Sequence, residues 1–394
     1  MKKSLSRVII MLVAVLVVAA CGNNPEQSTP GTDNTQAKAV SSTTKSAKSN
    51  KTKAKPKRKV SSRKKSVLTP TSAGSPYEIL LVGAPQDFQN GAVDTLYSIL
   101  TDDVAGMAQS EPNFKVSKIT ENNLSRTLRL CRNIIMVNID KSTYTKCKFK
   151  YSKDVYAAPQ IILTIQAPDA QSFLKYVDDN RELIVEFFNR AELNRQAELF
   201  REDHQPYISD AVKKTFGCEI WAPADLTRLK TGRNFVWART ERFVKNVEQV
   251  VNLVVYSYPY RDTNTFTQEY FVHKRDSVMK ANVPGPREGQ YMMTSMPFVL
   301  VSDETVHGAY AQVVRGLWNI KGYDMGGPFV SVSRVDEKNQ RVVVAEAFVF
   351  YPNQPKRNVL KRLEAALYTL QLPDELDLQR YQYNLDEIII NPED

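Results

Sequence analysis

The chain beyond residue 75 predicts an α+β fold of mainly antiparallel sheets covered by helices. Within it a strand, helix, strand pair, helix unit recurs three times, as in ferredoxin-like or split-βαβ folds. Three observations carry this expectation. Short runs rich in Ile, Val and Tyr alternate with longer stretches whose apolar residues recur at helical spacing. Phe329–Arg334 and Arg341–Phe350 flank the polar turn Asp336–Gln340, a hairpin pattern. The same order of elements can be traced over residues 77–205, 206–285 and 286–394, and each hairpin could be covered by the helix after it. The similarity is one of pattern, not of residue identity, and hairpin–helix successions are common in α+β proteins.

In the first unit Tyr77–Gly83 reads as a strand. Gly91–Met107 reads as a helix through Val93, Leu96, Tyr97, Leu100 and Val104. Asn133–Ile139 and Gln160–Gln166 are apolar strands. Pro168 and Asp169 then open one long helix with Phe173, Val177, Ile184, Phe187 and Phe188 on its stripe. The second unit runs through a strand at Cys218–Ala222, stopped by Pro223, and a helical turn at Asp225–Lys230. Strands at Phe235–Thr240 and Val251–Tyr258 follow, then a helix at Thr263–Met279. The third runs through a strand at Phe298–Val301, a helix at Asp303–Trp318 and the hairpin. Its final helix, Lys356–Leu370, carries Leu360, Leu363, Leu367 and Leu370 on one face.

The N-terminus predicts a different environment. Lys2, Lys3 and Arg7 precede the apolar run Val8–Ala20, which is shorter than the roughly 20 residues of a membrane-spanning helix and suits a signal peptide over residues 1–20. Val18-Ala19-Ala20-Cys21 resembles the lipobox of bacterial lipoproteins. That resemblance implies acylation of the Cys21 thiol, cleavage before it and acylation of the new amine, which together hold a protein on a membrane. An ordinary cleaved signal peptide is the competing account. The next residues, Gly22-Asn23-Asn24, lack the Asp of an inner-membrane retention signal. The resemblance therefore implies the outer membrane, facing the periplasm.

Residues 22–75 are Ser, Thr, Lys, Asn, Ala and Pro with almost no large apolar side chain. Such a segment cannot bury enough surface to offset ordering entropy and predicts a disordered tether. Its cations are Lys38, Lys45, Lys48, Lys51, Lys53, Lys55, Lys57, Arg58, Lys59, Arg63, Lys64 and Lys65, against Glu26 and Asp33. Their surplus matches the net +10 of the whole chain, so the part that follows is slightly acidic. Behind a signal peptide the expected partners of this tether are anionic lipid or envelope glycan, not nucleic acid. A merely solvated spacer explains the composition as well.

With Cys21 lipidated, Cys131, Cys147 and Cys218 remain. Cys131 and Cys147 flank opposite ends of one expected strand, which disfavours a bridge between them, so buried free thiols are expected with that bridge as the alternative. The three histidines, His204, His273 and His307, form no HExxH, and no CxxC, P-loop, GxGxxG or GxSxG occurs. No metal, cofactor or catalytic residue is expected on these grounds.

The most suggestive stretch is His307–Ser331. As a helix it would turn Val306, Ala309, Tyr310, Val313 and Leu317 to the core. His307, Ala311, Arg315 and Trp318 would then form an adjoining ridge, closed by the loop Asn319–Pro328 with Gly322, Gly326 and Gly327. His307, Arg315, Trp318, Gly326 and Gly327 are thus candidate contacts for a carboxylate, sugar or peptide. Arg315 would contact the anion and Trp318 would be a platform. Against this, Trp318 can cap the core, Arg315 can pair with an acid and the glycines can make a turn. Tyr256-Ser257-Tyr258-Pro259-Tyr260 is a second aromatic candidate, with ordinary strand packing as its alternative.

The lipobox, the Ser/Lys-rich tether, Arg315-Gly316-Leu317-Trp318 and Met325-Gly326-Gly327-Pro328-Phe329-Val330-Ser331 together resemble an uncharacterised family of Bacteroidetes envelope lipoproteins, a domain of unknown function catalogued as number 4837. The resemblance covers most of Pro76–Pro373 and implies location and fold class only. The expected function is a lipid-anchored, non-enzymatic protein that binds or scaffolds an unknown envelope partner. The alternative is a hydrolase or transferase acting on envelope glycan or peptide. Convergent acids in a deep pocket, or a Ser or Cys beside a His, would favour the enzyme; an aromatic surface or open strand edge would favour binding.

Overall fold

The computed structural model describes residues 69–376 and 382–388, which lie within one compact unit, Ser66–Asp394. The expected signal peptide, Cys21 and all but the last residues of the tether fall outside the described residues.

The first layer is built from β1 (Glu78–Gly83), α1 (Ala92–Thr101), β2 (Lys115–Thr120), β3 (Asn133–Ile139), β4 (Lys148–Lys153), β5 (Ile161–Ala167), α2 (Ala170–Asp179) and α3 (Arg181–Glu202). Its strands run in the order β2-β1-β3-β5-β4. β1 is parallel to β2 and β3, β3 is parallel to β5, and β4 closes the edge antiparallel to β5. Central β1 and β3 are apolar at consecutive positions because both faces are covered. Leu81 and Ile135 pack toward α1, α2 and α3, while Leu80, Val82 and Ile134 face a second small cluster with Leu124 and Leu128. Asp169 caps α2 by accepting the Ser172 N–H at 2.8 Å. The single long helix expected from Asp169 onward is broken at Asn180, whose φ/ψ of −116°/22° ends α2 and starts α3. Phe173 of α2 and Phe187 and Phe188 of α3 are buried in the same core.

The second layer contains α4 (Pro206–Phe216), β6 (Arg228–Gly232), β7 (Phe235–Val244), β8 (Val247–Pro259), α5 (Gln268–Asn282), β9 (Met292–Val306), β10 (Ala309–Ile320), β11 (Tyr323–Asp336), β12 (Arg341–Phe350) and α6 (Arg357–Leu367). Its seven strands form one antiparallel sheet, β6-β7-β8-β12-β11-β10-β9. One face buries Val251, Leu253, Val313, Val330, Val343 and Ala345 with the apolar stripe of α6 and with α4. The other buries Trp237, Tyr256, Val314, Trp318, Phe329 and Phe348 with Phe271 and Met279 of α5. α3 packs against α6, so the two layers meet along helices.

The α+β class holds and the larger sheet is antiparallel as expected, but the smaller sheet is parallel at every pairing except β4–β5, and the threefold repeat does not hold. The expected helix Asp303–Trp318 is instead the end of β9, a two-residue turn and most of β10. His307 and Gly308, at φ 53° and 79°, supply the two positive-φ positions that a tight hairpin requires. The strand buries side chains on both faces, so nearly every position is apolar and a helical wheel can be drawn through it. Without that helix the second and third units merge into one sheet. Asp225–Lys230 is not a helical turn either, because Arg228–Gly232 pairs with β7. Cys218–Ala222 joins no sheet and is held by a bridge between Glu219 and Gln371 and by the Trp221 N–H donating to Thr369 Oγ1 at 2.9 Å.

The three thiols are free, as expected. Cys131 and Cys147 are half-buried and Cys218 is buried, and burial pushes the Cys218 thiol up to about 12. No helix among the described residues is long and apolar enough to cross a membrane.

Candidate functional site

Where the layers meet, a cleft of about 870 Å³ opens between α1 and α3 on one side and β9 on the other. It is lined by Asp102, Arg181, Glu182, Glu186, Arg190, Asp303 and Glu304. An inner recess of about 210 Å³ shares Asn113, Glu186, Arg190 and Glu304 with it and is walled by Tyr77, Arg315, Lys361, Glu364 and Tyr368.

Each side chain reaches this place through its element. Arg190 lies one helical turn after Glu186 on α3 and pairs with it, while its Nη2 donates to Glu304 Oε2 at 2.7 Å. Its guanidinium lies 3.9 Å from the Tyr383 ring centroid and 5.4 Å from that of Tyr368. The third nitrogen, Nη1, is buried with no hydrogen-bond partner among the described residues. Tyr368 O–H donates to Glu304 Oε2 at 2.8 Å, so Glu304 ties the edge strand to both helices.

Arg315 projects from β10 onto α6 and grips Glu364 with two nitrogens, Nη1 donating to Oε2 at 3.1 Å and Nη2 to Oε1. Gly106, at φ 78°, lets the loop after α1 pass close by: a Cβ there would lie 2.8 Å from the Cβ of Arg315. Burial works to raise the Glu364 carboxyl, but the Arg315 charge and hydrogen bonds hold it below its ordinary value.

Lys361 sits on α6 between Leu360 and Leu363, both in the core. Its Nζ donates to Asn189 Oδ1 at 2.7 Å and lies 4.5 Å and 5.3 Å from the ring centroids of Tyr77 and Phe114. Burial pushes its ammonium down to about 7, with Glu364 and Glu186 opposing and Arg315 and Arg357 reinforcing the shift. Because the unfolded side chain holds its proton to about pH 10.4, both states are charged below pH 7 and the full cost of burying the charge is present. Between about pH 7 and 10 only the unfolded state stays protonated, so this residue's contribution makes the folded state more stable as pH rises. Lys361→Met should therefore stabilise the protein at pH 6.5, and its advantage over wild type should shrink steadily toward pH 9.5 in urea denaturation. An advantage independent of pH would show that Lys361 does not titrate in this range.

Of the residues singled out from the sequence, only Arg315 lines this cleft. Trp318 is three positions further along a strand and therefore points to the opposite face. It is 3 % exposed, packs edge-on against Phe348 at 5.4 Å and borders a separate cavity of about 560 Å³ with Trp237. His307 is a turn residue whose Nε2 hydrogen-bonds the Tyr368 carbonyl at 2.8 Å, with Nδ1 3.6 Å from Glu375. The expected loop Asn319–Pro328 is mostly strand, turning tightly at Lys321-Gly322. Gly326 and Gly327 lie in β11, where a Cβ would overlap the Trp318 and Val349 carbonyls respectively. They are packing glycines. Tyr256 and Tyr258 are likewise buried with the α5 core. The sequence reading missed Arg190, Glu304, Lys361, Glu364 and Tyr368. The visible signal was Lys361 and Glu364 interrupting the leucine stripe of α6.

Among the described residues no group of three His, Cys, Asp or Glu could hold a metal ion. The molecule is thus a two-layer α+β protein with a charged cleft between a largely parallel sheet and a wholly antiparallel one. Residues 205–369, within the second layer, match the family described as Domain of unknown function (DUF4837). Residues 72–201 match a different family, described as Domain of unknown function (DUF8532). The resemblance read over Pro76–Pro373 therefore holds for the second layer, and the boundary falls between α3 and α4. A search of curated proteins finds no match.

Proposed function

We propose that this chain is a lipid-anchored, periplasm-facing envelope protein whose interlayer cleft binds a polar envelope molecule without transforming it. The observation that carries the binding reading is Arg190 Nη1, a buried donor left without a partner among the described residues, on a side chain that lines the cleft and its recess. A buried polar group of this kind costs about 1–3 kcal/mol unless something accepts its hydrogen bond. The cleft also needs both halves of the chain: Tyr77, Glu186 and Arg190 come from the first layer, and Glu304, Arg315 and Lys361 from the second. Binding is favoured over turnover because the carboxylates are engaged. Glu186 and Glu304 both hold Arg190, and Glu364 holds Arg315, so these three recess carboxylates are committed to guanidinium groups and not free for proton transfer.

The anchor rests on Cys21 and its lipobox-like context. Radiolabelled palmitate should enter the wild type and not Cys21→Ser; equal labelling of both would sink the anchor. The basic tether would then lie near anionic head groups or envelope glycan. For the cleft, full-length protein should retain a subset of the soluble fragments released from peptidoglycan by enzymatic digestion, as read by mass spectrometry. Arg190→Gln and Arg315→Gln should lose that subset. Retention by neither the wild type nor the variants would overturn the reading.

A further inference from the structure

We propose that the cleft takes a short peptide carboxylate-first: the free C-terminal carboxylate enters the recess between Arg190 and Lys361, and cationic groups further back along the peptide stay at the acidic mouth. This rests on the binding reading above and names its ligand class.

The recess is lined by three cations and by the carboxylates of Asp103, Glu186, Glu304 and Glu364, and the cations are not equivalent. Arg315 has both terminal nitrogens on Glu364. Arg190 spends two nitrogens on Glu186 and Glu304 and keeps Nη1 without a partner among the described residues. Lys361 has no carboxylate within ion-pair distance among the described residues; its near contacts are the Asn189 and Asn113 amide oxygens at 2.7 Å and 3.5 Å. An ammonium has three donors, so at least one remains to be used. The unmet demand of the recess is therefore for an acceptor, and most of all for a negatively charged one, since a charge-assisted bond is roughly twice as strong as a neutral one. A carboxylate entering here can accept from these donors and would favour the protonated form of Lys361, which has no carboxylate within ion-pair distance among the described residues. A phosphate dianion fits less well than a single negative charge, because Asp103, Glu186, Glu304 and Glu364 already stand in the same walls.

The outer cleft has the opposite character. Asp102, Glu182 and Asp303 line it against Arg181. Ligands whose trailing end is cationic are drawn toward such a mouth, whereas a purely anionic ligand is repelled before it reaches the recess. The volumes agree with this polarity: about 210 Å³ inside suits a carboxylate on a small terminal residue, and about 870 Å³ outside has room for further residues.

The test is isothermal titration calorimetry of the full-length protein with the tripeptide Lys-Ala-Ala as free acid, as C-terminal amide, and as the free acid with both amines acetylated. The free acid should bind, the amide should bind at least about tenfold more weakly, and the acetylated acid several-fold more weakly with a smaller salt dependence. Lys361→Gln should lower affinity for the free acid and leave that for the amide unchanged, which a general loss of folding would not do. An amide that binds as tightly as the acid overturns the proposal. If peptidoglycan fragments are retained while no form of the tripeptide binds, the ligand class is wrong and the binding reading stands. If neither binds, both fall.

Discussion

Removing either member of the Arg275–Glu346 pair should destabilise the protein by about 3–5 kcal/mol. Both side chains are fully buried. Arg275 on α5 donates from Nε and Nη2 to the Glu346 carboxylate of β12 at 2.8–3.1 Å, and from Nη1 to Thr294 Oγ1 at 2.9 Å. Its guanidinium also lies 4.0 Å from the Phe329 ring centroid. Arg275→Met leaves a carboxylate in the interior with no cation, and Glu346→Leu leaves a buried guanidinium with only the part-exposed Asp276, 3.6 Å from Nη1, so each single change leaves an under-compensated charge. The double variant carries none and should recover most of the loss, since a buried pair adds little over apolar packing. Urea denaturation of the four proteins measures this directly; single variants within about 1 kcal/mol of wild type would refute it. The pair also bears on the cleft. Thr294 belongs to β9 and is held further by Asp276, which accepts from its N–H at 2.8 Å and its O–H at 2.7 Å. α5 thereby fixes the edge strand that carries Asp303 and Glu304 to the mouth. The single variants should weaken ligand binding more than they would by unfolding alone.

The legibility of this fold in its sequence follows burial. β3 and the β11–β12 hairpin were readable as Ile- and Val-rich runs between polar ends, and α6 as a helical period of leucines. β2 and β4 were not. They are the two edges of the smaller sheet, and their sequences, Lys-Val-Ser-Lys-Ile-Thr and Lys-Phe-Lys-Tyr-Ser-Lys, carry the lysines that discourage edge-to-edge pairing. Those same lysines dilute a strand signal. β10 failed for the opposite reason, being apolar on both faces. The site was harder still. Arg190, Arg315 and Lys361 are far apart in sequence and no local spacing joins them; only the packing of α3 on α6 and the reach of β9 bring them together. Arg315 was picked out as an Arg beside a Trp on one ridge, a geometry the strand removes.

That removal separates the two residues experimentally. Trp318→Ala deletes an indole packed between Phe348 and the sheet at 3 % exposure and should cost about 3–5 kcal/mol, lowering the melting temperature by on the order of 10 °C. Its indole N–H has no partner among the described residues, so Trp318→Phe gives up volume but no hydrogen bond. It should melt much closer to wild type and bind the cleft ligand unchanged. Arg315 behaves otherwise. Its side chain is 24 % exposed and that of its partner Glu364 6 %, so Arg315→Ala strands a buried carboxylate and also costs stability, by about 2–4 kcal/mol. Arg315→Lys keeps the charge but loses the planar fork that meets both Glu364 oxygens. The stability cost should then be smaller, and the remaining defect should appear as weaker binding in the recess. The contrast lies between the conservative variants: Trp318→Phe spares binding, and Arg315→Lys impairs it at comparable stability. A Trp318→Ala protein that melts with the wild type would show instead that the indole is an open platform, and the outer cavity with Trp237 would become the place to look for ligand.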